Sequence, residues 1–200
     1  MSRERLPLTS KKLSWLLRHG APSQGIAMDA AGWVAIDDVL KVLRMPRALL
    51  EQVVRENTKN RLELKEDRVR ASQGHSTEGM PVTLEGLEAS WEEVHEDTSI
   101  WHGTSVDAAR GIAREGIRPA ARTHVHMTDA PGSAVGKRAQ VDLMLEVNPA
   151  RLRAQGLRVF RSQNGVVLVR RVPRDCIVGL LAIAQRAKRE EAALSALFFS

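Results

Sequence analysis

Between Gly74 and Gly86 the apolar rhythm of the chain lapses into Gly, Pro, Ser and Thr. A stretch with so few periodic apolar residues cannot bury itself, so it divides the 200 residues into two units. The remainder is ordinary globular material, 43% apolar and 27% charged. A chain of this length buries roughly 70% of its unfolded surface and needs no staples. The single cysteine, Cys176, excludes an intramolecular disulfide framework and fits a reducing compartment. No apolar run approaches the ~18 residues of a membrane span, and Met1–Arg5 lacks a signal-peptide stretch. A cytoplasmic chain is expected.

The front reads as helices followed by a hairpin. Thr9 or Ser10 is positioned to cap a helix carrying Leu13, Leu16 and Leu17, which stops at Gly20. Gly32–Ile36 is strand-like. Asp37–Asp38 opens a second helix, where acids favour the positive end, and Pro46 begins a third. Arg61–Lys65 and Arg68–Ala71 flank the turn at Glu66–Asp67, which gives a winged-helix arrangement. The back reads as strands with interposed helices: Ser99–Thr104, a helix from Val106 to Glu115, then His124–Thr128, Val141–Val147 and Val159–Arg161. Asn164–Gly165 turns into Val166–Val169, and Ile177–Ile183 reads as one more buried strand. Gln185–Leu197 is a charged surface helix-former. The expected class is α+β, with units at 1–76 and 87–184, a linker at 77–86 and a tail at 185–200.

Thirty Lys and Arg against 24 Asp and Glu leave +6. Residues 81–100 hold six acids and no Lys or Arg, whereas residues 101–189 hold 16 basic and six acidic residues. Most of those cations are arginines, whose forks suit phosphate; a solvated basic surface explains them equally well.

Four clusters carry chemistry. Arg18-His19-Gly20 either offsets a helix dipole or presents two donors to a phosphate. Arg68 and Arg70 share a strand face, and Gln73, His75 and Ser76 surround Gly74, a composition suited to backbone contact with a ligand. His102-Gly103-Thr104 joins a donor, an approachable backbone and a hydroxyl at one strand edge, and His124 and His126 share a face on the next strand. These histidines lack the partners of a zinc site, so no metal is expected. Gly136-Lys137-Arg138 is either a surface charge pair or a phosphate clamp. No Walker loop, Gly-x-Gly-x-x-Gly or Gly-x-Ser-x-Gly occurs, which excludes neither nucleotide nor NAD binding by another fold.

Taken in order, Lys12–Ala21, Gly32–Val34 with Asp37–Leu40, Arg70–Ser76, His102–Thr104, His124–Met127, Gly136–Arg138 and Ser162–Leu168 resemble the RNA 2′-phosphotransferase family (KptA / tRNA 2′-phosphotransferase). Each motif alone is weak, while the ordered set spans residues 12 to about 178. Ala139-Gln140 departs from the His-Gly that often follows the arginine, and the tail beyond Ala184 carries no family motif.

The resemblance implies a winged helix followed by an ADP-ribosyltransferase-like domain. It implies NAD⁺ consumed as cosubstrate in a two-step reaction. An internal RNA 2′-phosphate displaces nicotinamide at C1″; the 2″-OH then attacks that phosphate and frees the RNA 2′-OH with ADP-ribose 1″,2″-cyclic phosphate. By the same resemblance Arg18, His19, Arg70 and Arg138 are catalytic, and His102, Gly103, Thr104, His126, Ser162 and Asn164 contact NAD. The implied partner is 2′-phosphorylated RNA, as in tRNA splicing and related RNA processing, and a monomer is expected. The rivals are an ADP-ribosyltransferase acting on nucleic-acid phosphate ends or protein, and a winged-helix nucleic-acid binder without catalysis. The second rival has only +4 over residues 1–80, from 14 basic and 10 acidic residues, in its favour.

Overall fold

The computed structural model describes residues 5–133, 136 and 140–199, with the backbone alone for 5–7. Two compact units result, Met1–Trp91 together with Ala121–Thr123, and Glu92–Ala120 together with His124–Ser200.

In the first unit, α1 spans Arg5–Trp15 and runs directly into a π-turn at Leu16–Gly20. The helix therefore begins before Thr9 and Ser10, which lie inside it rather than capping it. Pro7 falls in the first turn, where its missing N–H costs nothing. Gly20 is not the stop either. The helical path continues through Ala21 and a 3₁₀ turn at Pro22–Gln24 to Gly25, which takes the left-handed conformation.

Then follow β1 (Val34–Ala35), α2 (Ile36–Leu43), α3 (Arg47–Arg55), β2 (Leu62–Lys65), β3 (Arg68–Ala71) and α4 (Leu84–Glu88). The strands form an antiparallel sheet in the order β1-β3-β2. Leu13, Leu16 and Leu17 lie in one buried cluster with Val34, Ile36, Val39, Leu50, Val53 and Val69. The helical spacing of the first three and the strand alternation around Val69 place them there.

The second unit contains β4 (Glu92–Glu93), β5 (Ile100–Thr104), α5 (Val106–Glu115), β6 (Val125–Met127), β7 (Leu143–Val147), α6 (Pro149–Ala154), β8 (Val159–Arg161), β9 (Val167–Val169), β10 (Ile177–Ala182), α7 (Gln185–Arg189) and α8 (Glu191–Phe199). Two antiparallel sheets run β10-β7-β5 and β4-β8-β9-β6. They are joined where Trp101 and Thr128 exchange backbone bonds of 2.8 and 2.9 Å.

Two expectations change. The strand at Ile177–Ala182 is only partly buried, with Leu181 and Ile183 at the surface. The tail is two helices rather than one charged surface helix, and it places Ala187, Leu194 and Phe198 in the core. The mixed helices and antiparallel sheets agree with an α+β class. No helix among the described residues is long and apolar enough to cross a membrane.

Candidate functional site

In the first unit the π-turn sets the geometry. Such a turn widens the helix by one residue and often marks a functional position. Here Arg18 and His19 emerge from it against the segment after β3. Ser76 fastens both residues. Its N–H donates to the Arg18 carbonyl at 3.0 Å, and its Oγ shares a 2.7 Å hydrogen bond with His19 Nδ1.

Arg18 is largely buried, and its Nε and Nη2 have no hydrogen-bond partner among the described residues. Burial, then the charges of Arg61 and Arg122, lower its pKa to about 10, so it stays cationic at neutral pH. Two buried guanidinium nitrogens without acceptors are expensive and rare, and they suit an anion. Partial burial, Arg18 and Arg122 push the His19 pKa down, so its neutral imidazole is favoured.

His75 stands behind them at 0% exposure, with neither ring nitrogen hydrogen-bonded among the described residues. Burial and the charges of Arg18, Arg70 and His19 push its pKa down to about 3. Its surroundings therefore gather Arg18, His19 and Arg70 into one site. Gly32, at φ +84°, makes room for the ring, since a Cβ there would sit 2.6 Å from His75 Nε2. The open face of Gly74 is covered by the Arg18 side chain, 3.4 Å from the position a Cβ would take. The structure therefore places Gly74 against protein, where the composition pointed to ligand.

Arg70 is buried. It is only 5% exposed, and its Nε and Nη2 both donate to Glu63 Oε2, at 3.0 and 2.7 Å. Nη1 donates to the Ala31 carbonyl at 3.3 Å, and the guanidinium lies 4.6 Å from the centre of the Trp33 ring. Arg68 lies over the same ring at 5.6 Å, which agrees with the shared face. Glu63 grips the side edge of the Arg70 fork through Nε and Nη2. Arg138, the remaining expected catalytic cation, lies outside the described residues, as does Lys137.

In the second unit, β5 delivers His102, Gly103 and Thr104 in register with Leu145, Met144 and Leu143 of β7. His102 Nδ1 hydrogen-bonds the His126 carbonyl at 3.0 Å. A carbonyl only accepts, so Nδ1 carries a proton. Thr104 and Ser162 are buried. The Ser162 hydroxyl bonds Asn164 Oδ1 at 2.8 Å and the Val166 carbonyl at 3.1 Å, which shapes the turn from β8 into β9. That turn opens at Val167, opposite Met127 of β6, so His102–Thr104, His126 and the Ser162–Asn164 turn belong to adjoining strands. Among the described residues no cluster of His, Cys, Asp or Glu could hold a metal.

Four contributing residues escaped the motif reading. Glu63 was within reach, because the turn at Glu66–Asp67 sets the register that places it opposite Arg70. Asp142 was not. Its Oδ2 accepts from Val106 N–H, its N–H donates to the Thr104 carbonyl, and its carbonyl accepts from Ile183 and Ala184. Arg61 and Arg122 were missed because only the tertiary fold brings them to Arg18.

The sequence profile described as "RNA 2'-phosphotransferase, Tpt1 / KptA family" matches residues 4–171. The chain is similar to a "Probable RNA 2'-phosphotransferase" of Pseudomonas savastanoi pv. phaseolicola, 34% identical over 189 residues, covering 90% of this chain and 97% of the relative. A protein of the same description from Burkholderia lata is 36% identical over 175 residues, covering 83% and 87%. One from Acaryochloris marina is 32% identical over 184 residues, covering 88% and 97%. The arginine and histidine motifs lie within the residues that the family's profile matches, and the chain belongs to the RNA 2′-phosphotransferase, Tpt1 / KptA family, a family of transferases.

Proposed function

We propose that this protein removes an internal 2′-phosphate from RNA by transferring it to NAD⁺. In this reading the first unit is a winged helix and the second an ADP-ribosyltransferase-like domain. The observation that carries the reading is Arg18, two of whose buried nitrogens have no acceptor among the described residues, beside a histidine favoured in its neutral form. A phosphate monoester supplies the missing acceptors, and its oxygens meet fixed donors that need no reorganisation as charge develops.

Arg18, Arg70 and, by family resemblance, Arg138 hold the phosphate. Arginine keeps its charge throughout, which suits both the attacking monoester and the later pentavalent centre. The neutral His19 imidazole, steadied by Ser76, donates a hydrogen bond to the phosphate or takes the proton of the 2″-OH.

The donor set on β5, β6 and the β8–β9 turn fits a nicotinamide riboside. Hydroxyls of Thr104 and Ser162, the Asn164 amide, the His126 imidazole and the Gly103 backbone match ribose hydroxyls and a carboxamide in hydrogen-bonding character. His102 is held through Nδ1, so its ring is fixed before the cosubstrate arrives. The bond from C1″ to nicotinamide breaks as the phosphate oxygen bonds C1″. The 2″-OH then bonds phosphorus, and the RNA 2′-oxygen leaves with a proton. The chain acts as a monomer in the cytoplasm on RNA such as tRNA splicing products, and needs no metal.

An oligonucleotide with one internal 2′-phosphate tests this directly. The expected products are 2′-OH RNA, nicotinamide and ADP-ribose 1″,2″-cyclic phosphate, formed only with NAD⁺ and undiminished by EDTA. Release of inorganic phosphate without NAD⁺ overturns the proposal.

A further inference from the structure

Helix α1 and the π-turn that follows it sort their residues by face. Leu13, Leu16 and Leu17 are buried, whereas Leu8, Lys11, Lys12, Trp15 and His19 are exposed. Steps of three and four residues set the exposed five in one row, and the row ends at the histidine of the candidate site.

Trp15 is 54% exposed. An exposed apolar side chain is unremarkable by itself. The direction of this ring is what marks it. Helical side chains lean back toward the N-terminus. The Trp15 ring reaches the other way, across the π-turn, to Gly20: a Cβ there would sit 2.5 Å from Trp15 Cζ3 and 2.7 Å from Cη2. A π-turn bonds each residue to the fifth one on, so Trp15 stands next to both His19 and Gly20. A side chain at position 20 would displace the ring. Glycine thus admits an indole at the end of the helix where Arg18 and His19 emerge.

That end is held firmly. Ser76 bonds both Arg18 and His19, and it is bridged in turn by Arg122 of the strap Ala121–Thr123. Thr77 N–H donates to the Ala121 carbonyl and Thr123 N–H to the His75 carbonyl, both at 3.2 Å. An indole has only two side-chain torsions to fix, so a platform on this support loses little freedom when a ligand settles on it.

We propose that Trp15 is a stacking platform for the base next to the 2′-phosphorylated nucleotide, with Lys11 and Lys12 along the path of the strand's backbone. This rests on the RNA 2′-phosphate reading above. One turn of helix, about 5.4 Å of axis, separates Trp15 from His19, which puts an adjoining base within reach when the phosphate meets His19. Every base has a π-face, and aromatic side chains interleaved with cations hold single strands without reading them. The lysines of the row match a polyanion rather than an apolar protein segment.

The test is equilibrium binding without NAD⁺, so that no reaction occurs. The probes are an oligonucleotide with one internal 2′-phosphate, two such strands with an abasic residue on the 5′ or the 3′ side of the phosphorylated nucleotide, and the intact strand without its 2′-phosphate. The wild-type protein should lose about 10-fold in affinity on one of the two abasic strands, the scale of one stacked base. Trp15→Leu keeps an apolar cover over Gly20 but has no π-face. It should lose about as much on the intact strand and little more on that abasic strand. Its salt slope should stay at the wild-type value, because a stack releases no counterion. Trp15→Phe should keep most of the affinity, which separates a lost π-face from a disturbed turn.

Equal binding of intact and abasic strands overturns the platform. So do losses from Trp15→Leu and the missing base that simply multiply, or a Trp15→Phe protein as weak as Trp15→Leu. Self-association of the RNA-free protein that Trp15→Leu abolishes assigns the row to a second copy instead. If removing the 2′-phosphate leaves wild-type binding unchanged, the 2′-phosphate reading is what fails.

Discussion

Arg70 and Glu63 form a buried charge pair at 2.7 Å, and their burial reverses what an exposed arginine would do. Arg70→Ala leaves a buried carboxylate without its partner, at a cost of about 3–5 kcal/mol. Urea denaturation should register that loss, and Arg70→Ala with Glu63→Ala should recover much of it. Single-turnover rates of the folded single variant should fall roughly 10²–10³-fold, the scale of one lost preorganised donor. His102 contrasts with this pair. His102→Ala removes one bond across the β5–β6 seam, worth about 1 kcal/mol. Its melting temperature should fall by a few degrees while the apparent NAD⁺ requirement rises; normal NAD⁺ dependence with a collapsed melting temperature would make it scaffold. The sequence grouped Arg18, His19 and Arg70 only through ordered resemblance, and the structure gathers the three around His75. That Arg70 is locked down and Arg18 is not depends on which carboxylate each meets, and only Glu63, through hairpin register, was deducible.

Several elements of the second unit were legible because their apolar residues keep strand and helix periods, whereas the short strand at Glu92–Glu93 and the helix at Pro149–Ala154 were not. Val106–Glu115 falls where the pattern puts it, and the strand expected at Val141–Val147 runs from Leu143 to Val147. The ends were less legible, because they depend on side-chain caps and distant partners. Thr9 and Ser10 look like caps, yet the helix extends past them. The apolar end of the tail goes inward because Leu194 and Phe198 are covered by the core, a fact no local charge count contains. Asp142 shows how one side chain fixes several ends at once. It ties the exit of β5, the start of α5 and the end of β10. Asp142→Asn keeps the backbone bonds but weakens the charge at the N-terminus of α5, so a cost of about 1 kcal/mol is expected. Thr104 should shift with it. A greater loss in NAD⁺ affinity than in RNA affinity, measured by separate titrations, would bear this out; equal losses would not.

At the scale of the whole molecule, His75 gives the protein an acid limit. In the unfolded chain the imidazole binds its proton near pH 6.5, and in the folded chain only near pH 3. Between these values the unfolded state holds the extra proton, so stability is fully present above about pH 6.5 and is lost as pH falls toward 3. The slope is about 1.4 kcal/mol per pH unit from this one group. His19, whose pKa is also lowered, adds in the same direction. Denaturation midpoints measured from pH 7 to pH 4 should fall in wild type and flatten in His75→Leu; an unchanged slope in the variant would remove His75 as the cause.

The strap at Ala121–Thr123 bears on how this chain can be recombined. A front half exchanged with that of a relative at residue 91 would arrive without the three residues that complete it. It would have to accept a foreign strand supplied from the back half. Residues 75–77 and 121–123 are therefore expected to travel as one heritable unit despite the 43 residues between them. A crossover placed inside that interval would separate Arg122 from the Ser76 it was matched to.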